Sequence, residues 1–275
     1  FFDVGICEQH AVTFAAGLGA AGARPVVGIY STFLQRGYDQ VFHDVCLQGC
    51  DIVLCLDRAG LVGADGPTHH GVFDIAYLRH LPGIVLAAPK DGPELEAMLA
   101  AAVEQGGAWA IRFPRAAVPG EPTVSEAPIE AGRGEVLREG GDAAIVAYGA
   151  MVAPALDAAK LLAEEDVEVT VVNARFAKPV DAGLLRSLGG RVPAIVTVEE
   201  HSVVAGFGSA VLEALAAEGG LPCQVACAGV PDRFVEHGTR GALLAQLGLT
   251  AEGIAERVRS ARARAMAATH GADVS

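Results

Sequence analysis

The side chains best equipped for chemistry gather at the ends of four apolar, strand-like runs within the first 115 residues. Glu8, Gln9 and His10 follow residues 2–6; Tyr30, Phe33 and Arg36 lie at and just beyond the end of 26–30. Arg58 and a loop over 60–71 follow residues 52–57, and Pro114 and Arg115 follow 110–113. Open parallel sheets bind ligands beyond the carboxyl ends of their strands, so these ends are where a site is expected. The loop packs four glycines, one proline, Asp65 and the adjacent His69 and His70 into twelve positions. That composition makes a poor core and a good ligand-binding surface. Adjacent histidines cannot easily face one metal ion, and no third ligand is spaced to help them, so acid/base or hydrogen-bonding duty is expected there rather than a metal site. Arg36, Arg58 and Arg115 read either as solvated charges or, if they converge, as guanidinium forks for a phosphate or carboxylate. Glu8 falls in the first turn of a helix, where the helix dipole favours a carboxylate by ~1 kcal/mol or less. Cys7 before it is a poor cap, which leaves both a structural and a functional role open for Glu8.

These residues need a frame, and the frame shows in the pattern. Short β-rich runs at 24–30, 51–57, 83–88, 108–113, 142–148, 167–173, 193–199 and 223–228 alternate with helix-like runs at 8–21, 36–47, 94–105, 152–165, 182–188, 205–218, 241–246 and 251–268. Such alternation predicts an α/β protein with mostly parallel sheets flanked by helices. Residues 114–134 break it with four prolines, as an interdomain linker does. The expected division is a first domain over 1–118, a linker over 119–134, a second domain over 135–268 and a frayed tail over 269–275. His43 and His80 fall in helix-like runs and read as surface or packing residues. In the second half, Glu199, Glu200 and His201 end a predicted strand, and 231–238 forms a polar loop; ordinary strand-end and interface roles are expected for both. Glycines inside the first helix suggest a close neighbour, either packed backbone or ligand.

At 275 residues the chain is long enough for two domains with real cores. Its 20 basic and 33 acidic residues give a net charge of −13, which argues against a phosphate-backbone binder even though arginines cluster over 257–264. The longest apolar runs are far short of the ~20 residues that span a bilayer. Six cysteines without a CxxC pair read as reduced, buried thiols of a cytoplasmic protein. No GxxxxGK[ST] string is present, so a P-loop reading fails. The opening Phe-Phe-Asp-Val-Gly reads as the end of a strand, which predicts a first domain lacking its beginning.

The strings DVGICEQHAVTFAAGL, VVGIYSTFLQRGYDQVFHDV, LDRAGLVGADGPTHHGVFDIAYLR and IRFPR, followed by AIVAYGAMVAPAL, VTVVNARFAKPVD, TVEEHSVVAGFGSAVLEAL and GVPDRFVEHG, resemble the 1-deoxy-D-xylulose-5-phosphate synthase family of the transketolase superfamily. The resemblance covers essentially the whole chain. It implies a thiamine diphosphate pyrimidine-binding domain followed by a transketolase C-terminal-like domain that serves packing and homodimer formation. By the same resemblance, Glu8 would bond the cofactor's pyrimidine and Phe33 would stack on it. Tyr30, Arg36, Arg58 and Arg115 would surround a sugar-phosphate substrate. Asp65 and His69 would contact substrate hydroxyls and the pyruvate-derived group. The implied reaction joins pyruvate to D-glyceraldehyde 3-phosphate with loss of CO2. The part that holds the diphosphate through Mg2+ would belong to an N-terminal domain, since no GDG-type motif occurs in these residues. Two other readings remain: the beta subunit of a 2-oxoacid dehydrogenase or a transketolase half, and a dimerising fragment without catalysis. The alanine after Arg115 and His201 after the paired glutamates depart from the family pattern, where glycine and asparagine are usual.

Overall fold

The computed structural model describes residues 1–118, 127–217 and 220–272. Two five-stranded sheets organise it. In the first, β1 (Val26–Tyr30), β2 (Ile52–Asp57), β4 (Ala108–Arg112) and β3 (Ile84–Ala87) run parallel in that spatial order. In the second, β10 (Gln224–Val230), β9 (Ala194–Ser202), β6 (Ala143–Ala147) and β7 (Val169–Asn173) do the same. Each sheet ends in one antiparallel strand: β8 (Phe176–Lys178) beside β3, and β5 (Glu135–Arg138) beside β7. The mostly parallel α/β architecture expected from the alternation is therefore present. The central strands β4 and β6, AWAIR and AAIVA, are apolar almost throughout and wholly buried, as strands covered on both faces must be.

Helices cover the sheets. α1 (Glu8–Ala20) packs on β1 and on the turn after it. A Cβ on its Gly19 would stand 3.0 Å from the Asp51 carbonyl oxygen, so glycine here lets the helix approach backbone. The single helix expected over 36–47 is instead a 3₁₀ turn at Phe33–Gly37, the short α2 (Tyr38–Gln40) and a π-helical stretch at Val41–Cys46. A short α3 (Asp74–Leu78) follows the glycine-rich loop. α4 (Gly92–Gln105) starts with Asp91 Oδ1 accepting the Glu94 N–H at 2.9 Å and stops at Gly106 with φ +71°, the cap and stop that these residue types favour. α5 (Val152–Ala163), α6 (Ala182–Gly189), α7 (Phe207–Ala216), α8 (Arg240–Gln246) and α9 (Ala251–Ala272) flank the second sheet.

Several expectations change. β5 and β8 have four and three residues, too few for a period to show. Residues 2–6 have no regular structure. β9 runs to Ser202, so Glu199, Glu200 and His201 lie inside a strand and are buried rather than standing at its open end. α9 passes the expected end at 268 and reaches Ala272; residues 273–275 of the expected tail and 119–126 of the expected linker lie outside the described residues. Of the six free cysteines only Cys50 is buried and Cys7 is exposed, which corrects the reading of all six as core thiols. No described helix is long and apolar enough to cross a membrane.

The two halves share a core. One apolar cluster runs from Val12, Leu34 and Leu54 through Ala88 and Tyr148 to Val172 and Phe207. Each large side chain buried there contributes ~1.5–3 kcal/mol. With β8 crossing to the first sheet, the ends of the first sheet's strands are held against the second.

Candidate active site

The ends of β1 and β2 and the loop after β2 converge. Tyr30, the last residue of β1, stacks on Phe33 with ring centres 5.3 Å apart. Phe33 meets the edge of His69 at 5.3 Å, and the Arg36 guanidinium carbon lies 5.2 Å from its centre. The Arg58 guanidinium lies 3.9 Å from the centre of Tyr30, and its nitrogens are 3.8 Å from Asp57 and 3.9 Å from Asp65. Tyr30, Phe33, Arg36, Arg58, Asp65 and His69 thus form one continuous set of contacts. Thr68, which the sequence reading passes over, places its Oγ1 2.9 Å from His69 Nδ1, while His69 Nε2 has no hydrogen bond to another described residue. Thr32 Oγ1 donates to the Thr68 carbonyl at 3.3 Å and ties the turn after β1 to the loop. Hydroxyls beside a histidine were the available signal.

Arg58 has φ +57°, a left-handed conformation that costs a non-glycine residue on the order of 1 kcal/mol. Its own amide donates to Asp57 Oδ1 at 2.7 Å. Glu8 begins α1 and is 9% exposed; Cys7 supplies no side-chain cap, and the Glu8 carboxylate makes no hydrogen bond with another described residue. A Cβ on Gly37 would lie 3.4 Å from the Glu8 carbonyl oxygen, so the start of α1 abuts the turn that carries Phe33 and Arg36. The Glu8 backbone and the turn that carries Phe33 therefore pack together at Gly37. Arg115 is exposed and makes no hydrogen bond or ion pair with another described residue. The structure leaves it outside the set of contacts.

The loop is not the loose surface its composition suggests. Gly60, Gly63 and Gly66 have φ of +83°, +81° and +71°, and a Cβ on each would stand 2.6 Å from Glu200 Cδ, 2.8 Å from the Gly238 oxygen and 2.4 Å from His237 Nε2. The glycines therefore serve a close seam with the second half as well as a turn. Leu61 and His70 are buried while Asp65 is exposed. His70 Nδ1 accepts the Val62 N–H at 3.1 Å, and burial pushes this imidazole below its usual range; it stays neutral and braces the loop. Of the paired histidines, only His69 reaches the aromatic cluster. Among the described residues no three His, Cys, Asp or Glu side chains converge as a metal site.

Behind the loop lies a second polar constellation. Arg112, at the end of β4, donates through Nε to Asp74 Oδ2 at 3.0 Å and through Nη2 to the Gly71 carbonyl at 3.2 Å. His201 Nε2 accepts the Ile75 N–H at 3.1 Å while its Nδ1 donates to the Ser202 carbonyl at 2.8 Å. Burial pushes His201 down to about 4. Glu199 accepts the Phe207 and Gly208 amides at the start of α7, at 2.6 and 2.8 Å. Burial nevertheless pushes its carboxyl up to about 7. Glu200 accepts the Leu61 N–H and Arg240 Nε, both at 2.9 Å. Further along the seam, Glu94 accepts from Lys90, Asn173 and Arg175. None of Asp74, Arg112, Glu94 or Arg175 stands out in sequence, because buried ion pairs join residues far apart in the chain.

The chain matches two domain models: transketolase, pyrimidine binding domain, over residues 1–121, and transketolase, C-terminal domain, over residues 132–254. A solved structure described as a split gene transketolase, inactive beta4 tetramer, superposes with a TM-score of 0.86 at 36% identity, covering 96% of this chain and 84% of that one. This chain belongs to the transketolase family. Within it, a 1-deoxy-D-xylulose-5-phosphate synthase of Geobacter sulfurreducens is 58% identical over 93% of this chain and 40% of that protein. The synthase of Gloeobacter violaceus is 55% identical over 94% of this chain and 41% of its own length. This chain thus spans about two fifths of the curated relatives it matches. A transketolase mutant from Pichia stipitis shares the fold, with a TM-score of 0.76 at 24% identity over 93% of this chain and 37% of that one.

Proposed function

We propose that this chain supplies the pyrimidine-binding half of the active site of a 1-deoxy-D-xylulose-5-phosphate synthase, which condenses pyruvate with D-glyceraldehyde 3-phosphate and releases CO2. The observation that carries the reading is the single cluster of Tyr30, Phe33, Arg36, Arg58, Asp65 and His69 at the carboxyl edge of the first sheet, whose turn packs at Gly37 against the backbone of Glu8, a residue whose carboxylate has no hydrogen bond to another described residue. Thiamine diphosphate, when bound, supplies the electron sink for decarboxylation and carbon–carbon bond formation. Glu8 would hold the pyrimidine through a hydrogen bond at its carboxylate oxygen, and Phe33 would offer the ring a face. Arg58 and Arg36 bring two guanidinium forks to a phosphate, and Arg115 would join them when substrate is present. Asp65 accepts from a substrate hydroxyl, and His69 holds or moves a proton at Nε2.

The reading places residues 1–118 as the pyrimidine-binding domain and 135–268 as the C-terminal domain. Mg2+ and the diphosphate are assigned to an N-terminal portion of the complete enzyme, a homodimer of the cytoplasm. The test is turnover of pyruvate plus glyceraldehyde 3-phosphate with thiamine diphosphate and Mg2+, by these residues alone and with the N-terminal portion supplied. Turnover is expected only in the second case; activity from residues 1–275 alone would refute the assignment of the diphosphate site. In the complete enzyme, Glu8→Gln should cut turnover at least 100-fold with an unchanged unfolding midpoint, a loss in the range of general acid–base contributions. An unaltered rate would make Glu8 a helix-start carboxylate and nothing more.

A second reading draws on the split gene transketolase, whose chain this one covers over 84% of its length. Here the chain would pair with a separately encoded N-terminal chain. Co-purification with such a chain, rather than with a longer form of itself, distinguishes the two.

A further inference from the structure

We infer that Glu200, on β9 of the second sheet, is a positioning residue for the loop that presents Asp65 and His69. The inference rests on the reading of that loop as part of the active site. The loop is closed at its base by reciprocal bonds between Gly60 and Gly71, each N–H donating to the other's carbonyl at 2.8 Å. Immediately inside this pinch, the Leu61 N–H donates to Glu200 Oε1 at 2.9 Å. Glu200 is 4% exposed, and its carboxylate fills the space a side chain at residue 60 would need. Arg240 grips the same carboxylate with both Nε and Nη2, so the acceptor cannot swing away without breaking a two-point ion pair.

The rest of the second half follows the same plan with weaker ties. The Gly238 N–H reaches the Gly63 carbonyl at 3.4 Å, the Ser202 N–H reaches the Val72 carbonyl at 3.0 Å, and His237 lies against Gly66. Arg112 joins the far end of the loop to the backbone of β9, donating to Gly71 O at 3.2 Å and Glu200 O at 3.4 Å. Glu200 is the only one of these groups that holds the loop's first peptide with a charged acceptor among the described residues. Turning that peptide swings the segment leading to Asp65 and His69. The position of the site's substrate-facing half is thus set from the second sheet, while Glu8 and Phe33 sit on α1 and the turn after β1, which Glu200 does not touch.

This separation gives the test. Glu213, on α7, forms another bidentate ion pair across the two halves, with Arg79, and does not contact the loop. Amide hydrogen exchange is measured on the parent chain and on Glu200→Gln, Glu200→Ala and Glu213→Gln. Residues 61–71 should exchange on the order of tenfold faster in Glu200→Gln, and faster still in Glu200→Ala, because a charged acceptor is weakened and then removed. β6 should be unaffected, and Glu213→Gln should leave the loop at the parental rate. Arg240→Lys, which keeps the charge but loses the fork, should fall between parent and Glu200→Gln. In the complete enzyme, Glu200→Gln should lower kcat/KM for the phosphorylated aldehyde about tenfold while thiamine diphosphate affinity holds.

Unchanged loop exchange in both Glu200 variants, or acceleration spread equally over β6, would overturn the inference. A faster loop combined with normal turnover in Asp65→Ala and His69→Ala would instead leave the positioning role standing and remove the catalytic reading of the loop.

Discussion

The open cluster around Tyr30 and Phe33 and the buried seam around Asp74 and Arg112 use the same residue types with opposite degrees of satisfaction. In the seam, Asp74, Arg112, Glu199, Glu200 and His201 are all buried and each has a hydrogen-bond partner. In the cluster, Arg36 and Arg58 lean on aromatic rings, and Arg58 meets carboxylates at 3.8 and 3.9 Å, longer than a good charged hydrogen bond. Charges already spent on neighbours hold two sheets together. Charges held by rings and distant carboxylates remain able to meet a ligand.

The largest expected difference between the regions is in stability. Arg112→Met leaves Asp74 charged, buried and unpaired, which costs ~3–5 kcal/mol. Urea unfolding of this chain should show the loss, and Asp74→Asn combined with Arg112→Met should recover a good part of it. An Arg112→Met loss below ~1 kcal/mol would place Arg112 with the open cluster and dissolve the contrast.

The next effect lies within the seam and depends on pH. Burial raises Glu199 from 4.5 to about 7, so the folded protein keeps a proton that the unfolded chain releases. Stability from this group is lost as pH climbs from about 4.5 to about 7. Burial lowers His201 from 6.5 to about 4, so the unfolded chain binds a proton that the folded one refuses. Stability from this group is lost as pH falls from about 6.5 to about 4. The two slopes oppose each other in the shared window, and Nδ1 and Oε2 of the pair lie 3.7 Å apart. Relative to the parent, His201→Asn should tilt the unfolding free energy downward with rising pH, and Glu199→Gln should tilt it downward with falling pH. Equal slopes in parent and both variants would show that neither group is shifted.

The contrast also explains what was legible in the chain. The apolar runs of β1 to β4 and the polar residues at their ends are local signals, so the parallel sheet and the members of the open cluster could be named from sequence. The seam could not. Glu94 meets Arg175 across 81 positions, and Leu61 meets Glu200 across 139; no local pattern encodes such pairs. The glycine-rich loop misleads for a related reason. Gly60, Gly63 and Gly66 look like flexibility, yet each marks where Glu200, Gly238 or His237 closes in. β8 escapes notice because three residues carry no period, although it is the strand that brings the second half onto the first sheet.

The smallest expected effect on stability is at Arg58, and its smallness is the point. Replacing it with glycine removes ion pairs and a ring contact worth ~1 kcal/mol or less at a partly exposed position. The same change relieves a φ of +57° that costs a non-glycine residue ~1 kcal/mol. The two should nearly cancel, so Arg58→Gly is expected to unfold within ~1 kcal/mol of the parent. In the complete enzyme it should still weaken the phosphorylated aldehyde more than pyruvate, since the guanidinium fork is gone while Glu8 and Phe33 are untouched. A destabilisation above ~2 kcal/mol would show that Arg58 supports the fold as Arg112 does; equal effects on both substrates would remove it from the phosphate. Backbone strain carried by a residue that contributes little to folding is what a ligand-directed arginine should show, and this variant measures both halves of that statement.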